Sequence, residues 1–335
     1  MAGPNPVIAE VTRGGIVESH HTGAYAVMDG DGRLVAAAGA IDRAIFPRSA
    51  IKAFQCLPVV ESGAADHFGF TDEDIALACA SHNGEVAHVR VAGGMLAKAG
   101  MSEANYECGA HWPYELSAQH DMLRREEEPR AIHNNCSGKH AGMLAFARHV
   151  AAPVEGYTRI DHPVQLAVAK AMSELCDIDI AAQPHGIDGC SVPTWAIPLR
   201  NLALAFARFG SGAGLSAARA AACRRIIAAV RAHPFMVAGS NRFCTKLMEK
   251  VPRAFVKTGA EGVFCGAVPH AGHGLALKCD DGAHRASETA MAARLASLPV
   301  WTEIERRDLL SFAATDLSNW RKIHVGDVHA AIGNA

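Results

Sequence analysis

The chain has 335 residues, 50% of them hydrophobic, and a formal net charge of −2. That is enough to bury a large core in one domain or two lobes. With no basic stripe, the near-neutral balance excludes nucleic acid as a main partner, and no apolar run reaches membrane-spanning length.

The segments at 24–28 and 34–38 are short strand-like runs around Asp29-Gly30-Asp31-Gly32, a hairpin signal. A helix is expected to start near Pro47, run through Phe54 to about Glu61 and stop at Gly63. Thr71-Asp72-Glu73-Asp74 resembles an N-cap with an acidic first turn, opening a short helix toward Cys79. Further helices are expected over 85–99, 138–150, 162–176 and 215–232. The acidic run at 126–128 reads as a solvated face. The texture then changes. Residues 253–256, 262–267 and 274–279 look like strands joined by glycine-bearing turns. Helices over 286–296 and from Thr302, with a short strand at 322–325, close the chain.

Strands lie at both ends and helices fill the middle. The expected fold is therefore α/β: a mixed, largely antiparallel sheet flanked by helices, with a helical lobe inserted. The chain reads as a single two-lobed unit. Residues from about 1–47 and 233–335 form the sheet lobe, and about 48–232 form the helical lobe.

Ten cysteines are spread singly, with no C-x-x-C pair. Several sit in apolar stretches (Cys56, Cys79, Cys223) and read as reduced core thiols, which fits a cytoplasmic setting. The N-terminus lacks a basic head followed by an apolar segment, so no signal peptide is expected. His20, His21, His270 and His273 read as surface or loop residues.

Three motifs occur in order: Ser49-Ala-Ile-Lys52, Ser81-His82-Asn83 and Lys257-Thr258-Gly259. This is the S-x-x-K, S-x-N, K-T-G set of active-site-serine acyl enzymes. The hydroxyl is a poor nucleophile at neutral pH, and a desolvated amine beside it can take its proton. Each motif alone is weak; the set in order is not. At the start of a helix, Ser49 and Lys52 would share one face, with Cβ atoms about 5–6 Å apart. The helix start would also favour an oxyanion. Lys52 is thus the expected base for Ser49, and Lys257 could pair with Ser81. Ser49 is the expected nucleophile, with Ser81 the other choice and a proton shuttle through both pairs a third arrangement.

His133-Asn-Asn-Cys-Ser-Gly-Lys-His140 and Gly186-Ile-Asp-Gly-Cys190 are dense in ligand-capable groups. From residue types alone, Cys136, His140 and Cys190 are the first choice for a zinc site. A pair of ordinary buried thiols is the other reading, since the usual paired spacing is missing.

These segments resemble the L-asparaginase family typified by rhizobial enzymes. The resemblance is carried by Phe46-Pro-Arg-Ser-Ala-Ile-Lys52, Ala80-Ser-His-Asn-Gly-Glu85, and the stretches 133–143, 186–193, 257–262 and 277–282. It runs from about Val11 to the C-terminus and implies hydrolysis of L-asparagine to L-aspartate and ammonia. It also implies a serine-β-lactamase-like or glutaminase-like fold and a homodimer. The serine–lysine tandems carry over to Ser49/Lys52 and Ser81/Lys257. A zinc ion carries over to Cys136, Lys139 and Cys190, with water as fourth ligand. Lysine is an unusual zinc ligand, because it must shed its proton to offer a lone pair.

A site selecting asparagine should pair its α-carboxylate and α-ammonium. Arg48 is the candidate for the first and Asp188 for the second, with Asn83 and His140 as orienting donors. Two other functions share some of these residues. A penicillin-recognising β-lactamase has the three motifs and no metal, but 81 − 49 = 32 positions between the serines is short for that class. A non-catalytic zinc- or metabolite-binding protein would keep the fold alone.

Overall fold

A computed structural model describes residues 4–331. The chain divides into two compact units. One holds the described residues up to Ala50, Ile197–Ala213 and the described residues from Lys250 on; the other holds Ile51–Ala196 and Gly214–Glu249.

The first unit is built on an eight-stranded, wholly antiparallel sheet. Its strands are β1 (Val7–Arg13), β2 (Ile16–Asp29), β3 (Leu34–Ala38), β4 (Phe255–Thr258), β5 (Val263–Val268), β6 (His273–Cys279), β7 (Ala314–Ser318) and β8 (His324–Ala330). The order is β7-β8-β1-β2-β6-β5-β4, with β3 also on β2. The long β2 links both halves: Ile16 to Thr22 pair with β1, and Gly23 to Asp29 pair with β6. The β2–β3 hairpin turns at Asp29, whose carboxylate accepts the Asp31 and Arg33 amides at 3.1 and 2.8 Å. Asp29 thereby closes the turn with its own side chain. β5 is buried on both faces.

Helices Leu199–Ser211 and His284–Ala296 cover this sheet. The first belongs to the sheet unit, although it lies within the range of about 48–232 expected for the helical lobe. It ends at Gly212, in the left-handed conformation at φ +77°, which separates it from helix Ala217–Ala232 of the second unit. His20 is exposed, whereas His21 is buried on β2, its Nδ1 2.6 Å from Asp281 Oδ2. The surface expectation therefore fails for His21, because β2 becomes buried from that residue onward.

The second unit is helical. Lys52–Glu61 and Ser137–His149 are buried around most of their circumference, the mark of central helices. Small residues (Gly138, Ala141, Gly142, Ala145) let the latter pack closely. Asp72–Ala78 starts with the expected cap: Thr71 and Asp74 close a reciprocal capping box, worth about 1 kcal/mol. All ten cysteines are buried. Residues 126–128 are exposed, as expected. Among the described residues, no helix is long and apolar enough to cross a membrane.

Candidate active site

In the sheet unit, Ser49 lies half-buried in the 3-10 turn Arg48–Ile51. The α-helix proper opens at Lys52, not near Pro47, so the S-x-x-K spacing straddles two helix types. Arg48 has φ +51°, a left-handed backbone that costs a bulky residue about 1–3 kcal/mol and marks sites held by their surroundings. Lys257 lies on β4, buried, and its Nζ donates to the Thr258 carbonyl at 2.9 Å. The next glycine, Gly259, is required: a Cβ there would stand 2.6 Å from the Pro47 carbonyl oxygen. The end of the K-T-G strand therefore abuts the residues leading into Ser49.

In the helical unit, Lys52 is 0% exposed. Its Nζ contacts the Ala80 carbonyl at 2.5 Å, Ser81 Oγ at 2.8 Å and the Asn135 carbonyl at 3.5 Å. A neutral amine has two N–H groups and one lone pair; an ammonium has three N–H groups. Two carbonyls and a hydroxyl satisfy either form. In the neutral form the carbonyls take both N–H groups and the Ser81 hydroxyl donates to the lone pair. In the charged form Ser81 accepts. A group that must gain and lose a proton in a dry site needs such a set of partners. Within this unit, Lys52 and Ser81 are thus a hydrogen-bonded serine–lysine pair.

The Ser81 segment is held from two sides. Its amide donates to the Val237 carbonyl at 2.9 Å, and the His82 amide donates to the Asn135 carbonyl at 3.2 Å. His82 Nδ1 accepts from the Gly84 amide, so its Nε2–H donates to Ser137 Oγ at 3.0 Å. Burial pushes His82 well below its ordinary pKa, helped by His88 and Lys52, and it is neutral. Asn83 gives its side-chain N–H to the Ser240 carbonyl at 3.1 Å and accepts from Arg242 at 2.8 Å.

The ligand-capable residues do converge. Cys136 caps helix Ser137–His149, and Lys139 and His140 lie in its buried first turn. Cys190 sits in the turn after strand His185–Ile187, where the Asp188 amide donates to the Val192 carbonyl at 2.8 Å. Lys139 Nζ donates to Cys190 Sγ at 2.9 Å. Cys190 is held far below the ordinary thiol range by its interaction with the Cys136 thiol and by the charge of Lys139, against the opposing effect of burial. Cys136 is pushed up by the neighbouring Cys190 and by burial. Burial alone would lower Lys139, but Cys190 and Cys136 outweigh it and raise its pKa. His140 is lowered by burial. Its Nδ1 meets the Tyr157 hydroxyl at 2.7 Å, while its Nε2 is buried without a hydrogen-bond partner. Two sulfurs, an amine and an imidazole nitrogen, all atom types that zinc accepts, are thus carried by buried residues of this one unit, with Lys139 and Cys190 in direct contact. Asp188 is half-buried in the same turn.

Sequence reasoning missed Asn135, His82 as a brace, and Arg242. Asn135 lies inside a flagged segment, but the group that matters is its carbonyl. Arg242 lies in no motif. Among the described residues, two groups of three His, Cys or Asp side chains gather their ligand atoms within 4.8 Å, and Cys136, His140 and Cys190 are not one of them: His21, Cys279 and Asp281, and Asp316, His324 and Asp327. In the first, Arg285 Nε donates to His21 Nε2 at 3.1 Å. That fixes the proton on Nδ1, toward Asp281, and spoils the site for a metal.

Among known proteins, a family described as L-asparaginase II matches residues 9–330. No curated protein matches the chain. Among solved structures, Mglu is similar at 16% identity and TM-score 0.37, over 82% of this chain and 66% of that one. Mglu in its L-glutamate binding form is similar at 14% identity and TM-score 0.40, over 77% and 56%. A β-lactamase from Mycobacterium bovis is similar at 12% identity and TM-score 0.41, over 87% and 94%. The chain thus spans 66% and 56% of the two Mglu chains.

Proposed function

The chain belongs to the L-asparaginase II family, a family of asparaginase-type amidohydrolases, and from that premise we propose that it hydrolyses L-asparagine to L-aspartate and ammonia through a serine. The observation that carries this reading is the buried Lys52–Ser81 hydrogen bond of 2.8 Å, with two carbonyls on the remaining amine protons.

In the proposed reaction Ser49 Oγ attacks the side-chain amide carbon. Its proton goes to Lys52 in the amine form, then through the Ser81 hydroxyl to the leaving nitrogen. The C–N bond breaks and ammonia departs. Water then attacks the acyl enzyme, and aspartate leaves as Ser49 recovers its proton. Exposure supports this division of roles: Ser49 is half-buried, whereas Ser81 is 5% exposed. Lys257 is proposed as the lysine of the second tandem, with Ser81. The short Lys52–Ser81 distance favours a second reading, in which Ser81 attacks and Lys52 is its direct base. Trapping the acyl enzyme with a slow substrate and locating it by peptide mass spectrometry decides between them. Adduct on Ser49 supports the first reading, adduct on Ser81 supports the second, and an active Ser49→Ala, Ser81→Ala double variant overturns both.

Cys136, Lys139 and Cys190 would hold zinc, with His140 beside them. Bound there, zinc would supply a fixed positive charge that orients the substrate and its loop. Asp188 is proposed for the α-ammonium. The serine-β-lactamase/glutaminase-like fold, a homodimer and a cytoplasmic location belong to the same proposal.

A further inference from the structure

We propose that Arg242 is the specificity-determining residue that binds the α-carboxylate of the amino-acid substrate. The inference rests on the asparaginase reading and names a recognition element that no motif of the chain contains.

The argument starts from how two distant segments are joined. The Ser81 amide bonds to the Val237 carbonyl, and Asn83 Nδ2 bonds to the Ser240 carbonyl at 3.1 Å. Glu85 completes the join, with Oε1 on the Ser240 amide at 2.8 Å and Oε2 on the Ser240 hydroxyl at 2.7 Å. Gly239 allows the close approach. Its φ is +109°, and a Cβ there would stand 2.6 Å from Glu85 Oε1. These contacts place Arg242 beside Asn83, with its guanidinium donating to Asn83 Oδ1 at 2.8 Å.

Charge then decides what Arg242 can do. Both Glu85 oxygens are taken by Ser240, and the amide that Arg242 touches is neutral. Among the described residues no carboxylate pairs with this half-buried guanidinium. A guanidinium has five N–H donors in a planar fork shaped for a carboxylate, and one is used. Asn83 is two residues from Ser81, which is hydrogen-bonded to Lys52. A substrate presenting its side-chain amide to the serine–lysine pair would bring its α-carboxylate within reach of Arg242.

The test compares L-asparagine with L-asparaginamide, whose α-carboxylate is replaced by a neutral amide. The wild-type chain should prefer asparagine in kcat/KM by about 10–100-fold, the range of a charge-assisted carboxylate contact. In Arg242→Gln the preference should fall to within about threefold of unity, and Arg242→Lys should restore part of it. A merely structural role would lower both substrates together and keep the ratio; that result overturns the proposal. So does a ratio that collapses in Arg48→Gln and not in Arg242→Gln. Calorimetric binding of L-aspartate separates this proposal from the one beneath it. A wild-type chain that binds L-aspartate but releases no ammonia from asparagine overturns the asparaginase reading alone. An Arg242→Gln chain that binds L-aspartate like wild type overturns the assignment of Arg242, whatever the turnover.

Discussion

Replacing Lys52 with methionine removes the amine and little else. Methionine fills nearly the same volume in a site that is 0% exposed, so packing should survive. Three acceptors lose a partner: the Ala80 carbonyl, Ser81 Oγ and the Asn135 carbonyl. Asn135 still receives the His82 amide at 3.2 Å, and the Ser81 hydroxyl can rotate. The stability cost therefore falls mainly on the Ala80 carbonyl, about 1–3 kcal/mol for one buried unsatisfied group, offset in part by no longer burying an amine. Catalysis should suffer far more, since a positioned general base contributes about 10²–10⁴-fold. The assay is ammonia release from asparagine, with denaturant unfolding as the control. Ser81→Ala and the double variant complete a cycle. If the two residues act as one unit, the double variant is no slower than the worse single one. A Lys52→Met chain retaining a tenth of wild-type kcat, or a double variant slowed by the product of the single effects, refutes the unit.

Cys136→Ser and Cys190→Ser should each remove stoichiometric zinc, read by elemental analysis of protein purified with the metal present; full metal content in both would refute those ligands. Gly259→Ala should cost about 1–3 kcal/mol in urea unfolding, because the new methyl meets the Pro47 carbonyl rather than a flexible side chain; an unchanged midpoint would refute the close approach. His82 is buried neutral with a pKa well below 6.5, so below that pH the unfolded chain gains a proton that the folded chain refuses. Its contribution is fully present above about pH 6.5 and declines as pH falls toward the folded pKa. His82→Gln should therefore flatten the loss of stability below about pH 6.5, by at most about 1.4 kcal/mol per pH unit; an unchanged slope would refute a neutral buried imidazole.

The parts of this fold that could be read from the sequence are those whose signals are local. The Thr71 capping box, the turn at Asp29 and the strands ending at Thr258, Val268 and Cys279 lie where short-range chemistry places them. β1 escaped because register shifts between Val7 and Ala9, and between Val11 and Thr12, break the alternation that marks a strand. β7 escaped because it is the edge strand at one end of the sheet and is mostly exposed, which leaves no apolar face to detect. The same division holds at the site. Ser49, Lys52, Ser81 and Lys257 are legible as motifs. That Lys52 bonds to Ser81 is not, because it depends on a segment 29 residues away. Arg242, 159 residues from Asn83, is recognisable only from the charge it lacks a partner for.

The two halves of the helical unit's chemistry meet at one peptide. The Asn135 carbonyl accepts both Lys52 Nζ and the His82 amide, its side-chain oxygen lies 3.3 Å from Cys136 Sγ, and its amide donates to His111 Nε2 at 2.9 Å. Cys136 is the next residue and the cap of the buried helix that carries Lys139. The backbone that sets the first sulfur of the ligand cluster is thus the backbone that orients the lysine of the serine–lysine pair. Two groups of residues that look independent along the sequence share one rigid support. A change that moves Asn135 should disturb amine and thiol together, whereas a change at Cys190, on a separate turn, should disturb the thiol cluster alone.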